Sequence, residues 1–587
     1  MTTAHQFAHN FLREKGFKRV PSTFLHKYEG IMSVRNTRFS LEISFSELDF
    51  IDFPKYRLLN IPEGLNPHLP HIEPDGSLCY LDKEFIYLDR YNQESNFVLC
   101  FQYVEKLLVS YVENDIKKLS QEYADEFTAY WQGEFFAYIK SWNSPLQALL
   151  IDRYSILDND KKNTKCEVVI FNKPQEADAW LKLRNAANNI YNKTTPVIVT
   201  KLTQTKLIRL FEKWPLSSRQ ELLAWLTIID PSAAQSFISS LIAVISDIKN
   251  IRSFYVVLQT PGGNVGALIE IDKQIIEALK RSQNQRQNKK GNKPASPSSI
   301  LSRKSLVKEK FLRINIMDAS DSRITTRNQD KEFSLIGKKI ALIGCGTVGS
   351  FTALLLAQLG AGIQDHTHKG VLAFFDPDIL VPDNLGRHVL NMSYVGENKA
   401  LAMADFLTKQ AVSNTINFIG NNKRFDVKNL TLFSRYDLII DATGNEAFST
   451  SLSHYYHRGE IPNALIHGWV IAAGKAVRVI LDDKTGACYR CLRISNKDGE
   501  LQERFKLFSK DKEPQEPIRR NCGNAYFPYA SGASASAAAL IQQLAIDYFS
   551  GNPSPRFRHS SLSLDVQYTK NCNPSNLDTC PCCTKIL

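Results

Sequence analysis

The chain has 587 residues, of which 43% are apolar and 22% charged, and its net charge is +12; this length suggests about three or four domains. No stretch reaches the roughly 18 apolar residues that a membrane-spanning helix needs, and the start lacks a signal-peptide core, so we expect a cytoplasmic protein with no membrane partner. Eleven cysteines, an odd number, argue against a disulfide framework and favour metal binding, catalysis or burial.

The first predicted domain covers residues 1–145. It begins with an amphipathic helix in which Phe7, Phe11 and Leu12 share a face. Alternating apolar residues at 39–46 predict a strand, and helical patterns extend from about 97 to 142. The mixture of strands and helices predicts an α+β domain.

A possible thiol site lies in this domain. Residues 76–81 read GSLCYL, and residues 69–71, LPH, end eight positions before the cysteine. The segment resembles the active site of ubiquitin-conjugating enzymes, which carry H-P-N and, about eight residues later, G-x-[IL]-C-L. The resemblance implies that Cys79 is a catalytic thiol and that His71 replaces the asparagine that supports the oxyanion. An imidazole can donate that hydrogen bond and can also accept a proton. His68 is a second candidate, and a buried cysteine beside a histidine-bearing loop is the alternative.

The next segment, residues 150–280, alternates strand and helix signals and predicts an α/β middle domain. Its last part, SFYVVLQT-PGGN-VGALIEI, predicts two strands joined by a glycine-rich turn. The residues suggest no chemistry, so we interpret this domain as a structural spacer.

A basic segment follows, over residues 281–313. Eleven Lys or Arg side chains lie between Lys280 and Arg313, against one acid, Glu309. The segment is poor in apolar side chains over its first half, which predicts a disordered, flexible linker. Most of the excess charge of the chain lies in this segment. A run of charge of this kind is typical of a solvated tether, so we expect no nucleic-acid partner.

The last predicted domain covers residues 315–587 and begins with a nucleotide-binding pattern. An apolar strand at 340–343 leads directly into a G-x-G-x-x-G loop and an apolar helix. Glycine permits positive φ and lets backbone amides approach a phosphate, while the helix N-terminus adds donors. The cofactor-binding glycines of this pattern are Gly344, Gly346 and Gly349. A second strand ends in Asp376, whose carboxylate can accept hydrogen bonds from ribose; a Rossmann-like core without nucleotide is the alternative.

Further motifs follow this loop in the order D-x-D, N-L-x-R-H and a lysine. Together they resemble the adenylating domain of ubiquitin-activating enzymes and of their bacterial relatives of the ThiF and MoeB type. The resemblance implies a Rossmann-like fold and the use of ATP with Mg²⁺. It also implies that Asp376 holds the ribose, while Arg387 and Lys399 neutralise the phosphates.

The same resemblance implies a homodimer in which an arginine upstream of the glycine loop acts in the partner's site. Arg327 is the preferred candidate and Arg323 the other. Gly444 stands where the family usually has the magnesium-associated aspartate. Either Asp441 takes that role, or the phosphates hold most of the metal.

Two C-x-x-C pairs have the spacing of tetrahedral zinc–thiolate sites. Four thiolates leave no open position, so the predicted zinc is structural; four reduced buried cysteines are the alternative. The predicted ligands are Cys488, Cys491, Cys580 and Cys583, and Cys582 could replace one of them. By its position in the family pattern, Cys522 is the thioester-forming nucleophile of the activating domain, with a plain structural cysteine as the alternative.

The whole domain order resembles the fused activating-and-conjugating enzymes of bacterial antiphage systems that signal through cyclic oligonucleotides. That resemblance implies adenylation of the C-terminus of a cGAS-like nucleotidyltransferase, a thioester at Cys522, transfer to Cys79 and ligation to a target lysine. A ThiF/MoeB-type adenylyltransferase that activates a sulfur-carrier protein is an alternative, and a non-enzymatic nucleotide-binding scaffold is another.

Overall fold

A computed structural model of the chain describes residues 3–23, 25–65, 69–73, 75–82, 85–113, 115–154, 164–183, 194–203, 214–248, 251–288, 294–305, 309–327, 329, 333–364, 369–411, 413, 415–423, 432–497, 499–508, 518–521 and 524–584. The chain folds as two compact units, Met1–Ala319 and Ser320–Leu587. None of the helices in these described stretches is both long and apolar enough to cross a membrane.

The first unit begins with a four-stranded antiparallel sheet in the order β1-β2-β3-β4, and helices α1 and α2 contribute to its apolar core. Aromatic side chains join the two helices, since the rings of Phe11 and Phe101 meet edge to face at 5.2 Å. The elements are α1 (Thr3–Glu14), β1 (Lys18–Val20), β2 (His26–Val34), β3 (Thr37–Phe45), β4 (Lys55–Leu58), α2 (Gln93–Glu113), α3 (Ile116–Asp125) and α4 (Phe127–Trp131).

The rest of the first unit is a closed seven-stranded barrel in the order β10-β11-β5-β7-β6-β8-β9. The predicted hairpin is confirmed, because β9 and β10 pair antiparallel around the glycine-rich turn. The elements are β5 (Phe135–Ile139), β6 (Leu146–Tyr154), β7 (Thr164–Phe171), α5 (Pro174–Leu183), β8 (Thr195–Lys201), α6 (Arg219–Ile229), α7 (Pro231–Asp247), β9 (Ser253–Thr260), β10 (Gly263–Glu270), α8 (Lys273–Asn288), α9 (Pro297–Leu301) and β11 (Phe311–Asp318).

The structure differs from the predicted flexible linker over the described parts of 281–313, and residues 289–293 and 306–308 of that prediction lie outside the described residues. Helix α8 continues to Asn288, and α9 buries Ile300 and Leu301 in the core shared with α6 and α7. Strand β11 then pairs antiparallel with β10 and parallel with β5, so the barrel needs it to close. Buried apolar side chains and strand pairing therefore hold parts of a segment whose composition indicated disorder.

The predicted domain limits shift for the same reason. Helix α4 packs in the apolar core that α6–α9 share with β8, β9 and β10, where the indole of Trp131 donates to the carbonyl of Gly266 at 2.8 Å, and β5 is a barrel strand. The first domain's core therefore ends near Leu119, short of 145, and the helical pattern does not extend to 142. Residue 315, the predicted start of the last domain, lies inside β11.

The second unit is a doubly covered sheet in the order β14-β13-β12-β15-β16-β17-β22. The first five strands are parallel to one another. At the other edge, β17 pairs antiparallel with β16, and β22 pairs antiparallel with β17. Apolar clusters on both faces enclose the sheet, with α11, α12 and α14 on one face and α13 on the other. The predicted Rossmann-like fold of this half and the α/β multidomain class are confirmed.

Its elements run in chain order as follows: α10 (Asp321–Thr326), β12 (Lys339–Ile343), α11 (Thr347–Gln358), β13 (Val371–Phe375), α12 (Lys399–Gln410), β14 (Phe418–Asn421), β15 (Leu438–Asp441), α13 (Glu446–His457), β16 (Leu465–Ile471), β17 (Ala476–Asp482), β18 (Arg493–Ser495), β19 (Leu501–Glu503), β20 (Ile518–Asn521), β21 (Asn524–Tyr526), α14 (Ser531–Phe549) and β22 (Phe557–Ser561). Strand order reverses beside β12, because β13 and β14 lie on one side of it and β15 on the other. In sheets of this kind, ligands bind outside the carboxyl ends of the strands at that reversal.

Candidate active sites

The loop that carries Cys79 is hydrogen-bonded along β4. The amide of Leu58 donates to the carbonyl of Gly76 at 2.8 Å, and the amide of Leu78 donates to the carbonyl of Tyr56 at 2.7 Å. Gly76 has φ +87°, and a Cβ there would lie 2.5 Å from the carbonyl oxygen of Leu58. The glycine of the GSLC stretch is therefore required for the loop to reach β4, and Cys79 is left exposed beyond it.

Acidic side chains surround the Cys79 thiol. Its Sγ donates to Oε1 of Glu73 at 3.7 Å. Partial burial, followed by the charges of Glu73, Glu126 and Asp75, raises the pKa of Cys79 to about 11. The thiol is thus protonated at neutral pH, and it needs a proton acceptor before it can attack.

His71 is held against the start of α4. Its Nδ1 lies 2.7 Å from Oε1 of Glu126, and its Nε2 lies 3.6 Å from Oε2 of Glu122. The hydrogen bond to Glu126 is the main cause that raises the pKa of His71, although burial opposes it. The backbone joins His71 to the thiol, because the amide of Cys79 donates to the carbonyl of His71 at 2.9 Å. His68 lies outside the described residues.

The glycine loop forms one wall of a pocket of about 290 Å³ at the carboxyl ends of β12, β13 and β15. Gly349 lets α11 approach the loop, because a Cβ on Gly349 would lie 1.8 Å from the carbonyl oxygen of Gly344. Gly344 itself has φ +87°. The lining residues are Ile343, Gly344, Gly346, Phe375, Asp376, Pro377, Asp378, Lys399, Ala442, Thr443, Asn445 and Phe448.

Asp376 and Lys399 both line this pocket. One oxygen of Asp376 accepts from the amide of Cys345 at 2.6 Å and the other from the amide of Asp378 at 2.8 Å, so each retains a lone pair. Nζ of Lys399 lies 3.3 Å from a carboxylate oxygen of Asp378. Asn398 orders the segment, because its Nδ2 donates to the carbonyls of Asp376 and Asp378 at 2.8 and 3.0 Å.

Arg387 lies on the side of the glycine loop. Its guanidinium is 5.1 Å from the ring centre of Tyr529, whose hydroxyl lies 3.0 Å from Oγ1 of Thr347, the first residue of α11. Arg327 and Arg323 are both exposed at α10, and neither is among the described residues that line the pocket.

The neighbouring His388 fixes this segment to the loop. Its Nε2 donates to the carbonyl of Cys345 at 2.7 Å, and its Nδ1 accepts from the amide of Leu390 at 3.1 Å. Burial lowers the pKa of His388, which matches the neutral tautomer that these two bonds require. The histidine after Arg387 is therefore structural.

Asp441 is not among the described residues that line the pocket, and its role in nucleotide and magnesium binding stays a prediction. It is 2% exposed, and its oxygens accept from Thr443, Ser449 and His467. Although burial acts in the opposite direction, the hydrogen bonds and charge of His467 and the hydroxyls lower the pKa of Asp441. Asp441 supports Thr443, whose hydroxyl donates to it at 2.7 Å and which lines the pocket.

A buried polar chain continues from Asp441. Nδ1 of His467 lies 2.8 Å from Asp441, and Nε2 lies 3.2 Å from Oγ of Ser453, which donates to Asp482 at 2.8 Å. His467 therefore links the Asp441 carboxylate to Ser453 and, through it, to Asp482.

We expect His467→Ala to destabilise the second unit by about 1–3 kcal/mol, because it removes a hydrogen-bond partner of the buried Asp441 carboxylate. Hydrogen–deuterium exchange of the β15 and β16 peptides, together with calorimetry, would measure this loss. His454→Ala on the same helix as Ser453 is the control, since His454 is only partly buried. Equal protection of β15 in both variants would contradict the stabilising role of this contact.

The four predicted zinc ligands converge. The Sγ–Sγ distances are 3.7 Å for Cys488–Cys491, 3.6 Å for Cys488–Cys580 and 3.4 Å for Cys491–Cys583. A tetrahedral zinc with Zn–S bonds of about 2.3 Å needs thiolates about 3.8 Å apart, so the donor set fits the metal. Cys582 is not part of the four-thiol group found among the described residues, so the alternative in which it replaces a ligand is not favoured.

Sequence reasoning missed residues that order both sites. Asn398 stands just before Lys399 and caps α12, a position where asparagine is a recognisable helix-start signal. Glu126, Tyr130 and Tyr529 carry no such signal, because only the fold brings them to the loops they contact. Cys522 lies outside the described residues.

Comparisons with known proteins match both halves of the chain. Residues 5–138 match the Prokaryotic E2 family B, and residues 322–582 match the ThiF family. The chain is 27% identical to the ATP-dependent ubiquitin transferase-like protein Cap2 of Pseudomonas aeruginosa, over 91% of this chain and 90% of that protein. It is 29% identical to the protein of the same name in Escherichia coli, over 84% and 82% of the two chains. The crystal structure of E. coli MccB superposes on 43% of this chain and 67% of that chain, with 18% identity and a TM-score of 0.32.

The two family matches fall in the two compact units, the conjugating-type match in the first and the ThiF match in the second. The relatives align across both. The chain therefore joins a segment similar to the Prokaryotic E2 family B to a segment similar to the ThiF family, and over most of its length it is similar to ATP-dependent ubiquitin transferase-like proteins.

Proposed function

We propose that the enzyme uses ATP to activate the C-terminal carboxylate of a protein and conjugates it to a lysine of a target. The observation that carries this proposal is the presence, in one chain, of a glycine-loop pocket with Asp376 and Lys399 and of an exposed thiol, Cys79, in a conjugating-type domain. The acyl donor implied by the sequence resemblance is a cGAS-like nucleotidyltransferase, and its conjugation would prime antiphage signalling.

The first step joins the carboxylate to the α-phosphorus of ATP and releases pyrophosphate. Asp376 lies on the pocket wall with a free lone pair on each oxygen, which suits the two ribose hydroxyls. Lys399 and Arg387 supply positive charge for the phosphates. Lys399 is held at the pocket by Asp378, whereas Arg387 lies beside Tyr529 at the glycine loop. Arg327 is exposed, as a residue that acts in the other copy of a homodimer must be.

Two acyl transfers follow. Cys522 attacks the acyl-adenylate carbonyl, a C–S bond forms, and AMP leaves. The Cys79 sulfur then attacks the thioester, its proton passes to a base, and the Cys522 thiolate leaves. Glu73, 3.7 Å from the Cys79 sulfur, is positioned to accept that proton. The raised pKa of Cys79 makes its thiolate, once formed, a stronger nucleophile and a poorer leaving group than an unperturbed cysteine.

The last step forms an amide bond: a neutral lysine amine attacks the Cys79 thioester, the C–S bond breaks, and the proton that the amine loses passes to the departing Cys79 thiolate. A negative charge develops on the carbonyl oxygen, and a donor beside the thiol stabilises it. His71 is hydrogen-bonded to the Cys79 backbone and carries a raised pKa, which favours its role as that donor over its role as a base.

Two metals belong to the proposal. Magnesium, when bound, neutralises phosphate charge, and Asp376 and Asp378 are the carboxylates among the described pocket-lining residues. Since Asp441 is occupied by internal hydrogen bonds, we favour the alternative in which the phosphates hold most of the metal. Zinc would be held by the four thiols and would tie the C-terminal segment to the sheet.

Intact mass spectrometry under non-reducing conditions tests the relay. The protein is mixed with ATP, magnesium and the nucleotidyltransferase encoded beside it, in parallel with Cys79→Ala and Cys522→Ala. We expect a thiol-labile adduct in the wild type, its loss in Cys522→Ala, and its accumulation at Cys522 in Cys79→Ala.

Other outcomes overturn parts of the proposal. Product formation that does not depend on Cys79 would favour a sulfur-carrier adenylyltransferase and reduce the first unit to a binding domain. Full pyrophosphate release by Arg387→Ala would argue against the assigned phosphate contact. If no adduct forms, ATP–pyrophosphate exchange with other protein C-termini separates a wrong donor from a wrong chemistry.

A further inference from the structure

The backbone of His71 adopts a conformation that histidine rarely takes. Its φ is +60°, in the left-handed region that residues with a side chain disfavour. Its amide donates to Oε2 of Glu126 at 3.0 Å and to the hydroxyl of Tyr130 at 2.9 Å. Two acceptors from residues more than fifty positions later therefore hold His71 in this conformation.

The same glutamate also holds the ring. Oε1 of Glu126 lies 2.7 Å from Nδ1 of His71, while Oε2 accepts from the backbone amide of His71 and from the hydroxyl of Tyr130. Tyr130 is fixed in turn, because its ring stacks on the buried Tyr123 with centroids 4.3 Å apart. Although burial opposes it, the hydrogen bonds to His71 and Tyr130 lower the pKa of Glu126, which favours its ionised carboxylate.

The contact with Glu126 determines which nitrogen of His71 is available. Nδ1–H is committed to Glu126, whereas Nε2 has a longer contact, 3.6 Å, with Oε2 of Glu122. Nε2–H is therefore the more weakly held of the two donors and the one that can turn from Glu122 to a substrate oxygen. Titratable groups from three parts of the chain surround the ring. The α3–α4 region contributes Glu122, Glu126 and Tyr130, and Lys118 lies near Glu122. The thiol loop contributes Glu73, Asp75 and Cys79, and the hydroxyl of Tyr111 from α2 donates to the carbonyl of Pro70 beside His71.

We propose that Glu126 is a positioning residue for the conjugation step: its carboxylate holds the backbone and Nδ1 of His71, so that a protonated imidazole presents Nε2–H to the acyl carbonyl on Cys79. The role of His71 in that step rests on the proposed function. The dependence of His71 protonation on Glu126 follows from the geometry alone.

Glu126→Gln separates charge from shape, because the amide keeps the volume and can still accept a hydrogen bond from the backbone amide. Glu73→Gln is the matched control, since Glu73 contacts the Cys79 sulfur. Histidine C2 hydrogen–deuterium exchange, measured on the peptide that contains His71 in the full chain, gives the titration midpoint of that ring. We expect Glu126→Gln to lower the midpoint by about one pH unit and Glu73→Gln to lower it by much less.

Discharge of a preformed thioester tests the chemical consequence. Cys79 is loaded from a peptide mercaptoethanesulfonate thioester, with Cys522→Ala as the background, and discharge onto free lysine is followed across pH. We expect Glu126→Gln to slow discharge about tenfold at pH 8, with KM for lysine unchanged. As the pH is raised, the discharge rate of the variant should begin to fall at a lower pH than that of the parent, because its His71 loses its proton earlier. Glu126→Asp should recover part of the rate.

The outcomes are distinguishable. Equal His71 midpoints in Glu126→Gln and the parent protein would overturn the proposal, whatever the activity. A lowered midpoint with an unchanged discharge profile would overturn the positioning role while the ion pair stands. A parent protein whose Cys79 thioester never reacts with lysine would overturn the proposed function, and the midpoint comparison would still decide the Glu126 contact.

Discussion

Gly349→Ala should destroy nucleotide binding by displacing the glycine loop, whereas Gly346→Ala should weaken it about 100-fold and leave the fold intact. A Cβ at position 349 would lie 1.8 Å from the carbonyl oxygen of Gly344, so the backbone must move, at a cost of about 3 kcal/mol. A Cβ at position 346 meets no atom within 4 Å. Calorimetry and ATP–pyrophosphate exchange measure the two effects separately.

The Gly346→Ala protein is the control for stability and the sharper test of the pocket. Gly346 lines the pocket, and its φ of −73° suits alanine, so we expect stability within about 0.5 kcal/mol of the wild type. The added methyl group would occupy space next to the phosphates, and ATP affinity should fall about 100-fold. Full exchange activity in Gly346→Ala would show that phosphates do not approach this loop.

Cys580→Ser should remove zinc from the protein and lower the melting temperature of the second unit by roughly 10 °C or more. The reason is that the four thiols join residues 488–491 to residues 580–583, and a structural zinc contributes ~10–16 kcal/mol in small zinc domains. Metal analysis of the purified protein and calorimetry are the measurements. Chelation of the wild type should lower the melting temperature in the same direction.

Cys582→Ser is the matched control, because Cys582 is 8% exposed beside the four thiols and is not one of them. We expect one equivalent of zinc and a melting temperature close to the wild type. A wild-type protein without equimolar zinc would show that the four cysteines are reduced and buried without a metal. Loss of zinc in Cys582→Ser would return that residue to the ligand set.

Local patterns predicted those parts of the fold that short-range physics determines. The strand–glycine loop–helix pattern at 340–358 and the hairpin around the PGGN turn are visible because their conformations depend on neighbouring residues. The role of β11 was not visible in this way. Its partner β5 is distant in the sequence, and the basic segment separates it from its other partner, β10. The composition of that segment indicated a linker.

The same distinction between local and long-range determinants applies to the candidate sites. Motif spacing selected Cys79, the glycines and the four thiols, whose positions relative to each other follow from local geometry or metal chemistry. The environment of each side chain needed the tertiary structure. The sequence pattern puts Asp441 at the end of a strand beside the nucleotide, but it does not show that His467 and Ser449 occupy its oxygens. Likewise, Glu126 reaches His71 only because α4 returns to the thiol loop.

The closing strand of the barrel decides where the protein can be divided for separate expression. A fragment that stops before residue 311 would leave β5 and β10 with unpaired edges, and such edges invite aggregation. A fragment that starts at 315 would carry half of that strand as a loose end. A cut between Ala319 and Ser320 keeps every strand of both units with its partners. Recombinant halves divided at that bond are the ones that should remain monodisperse.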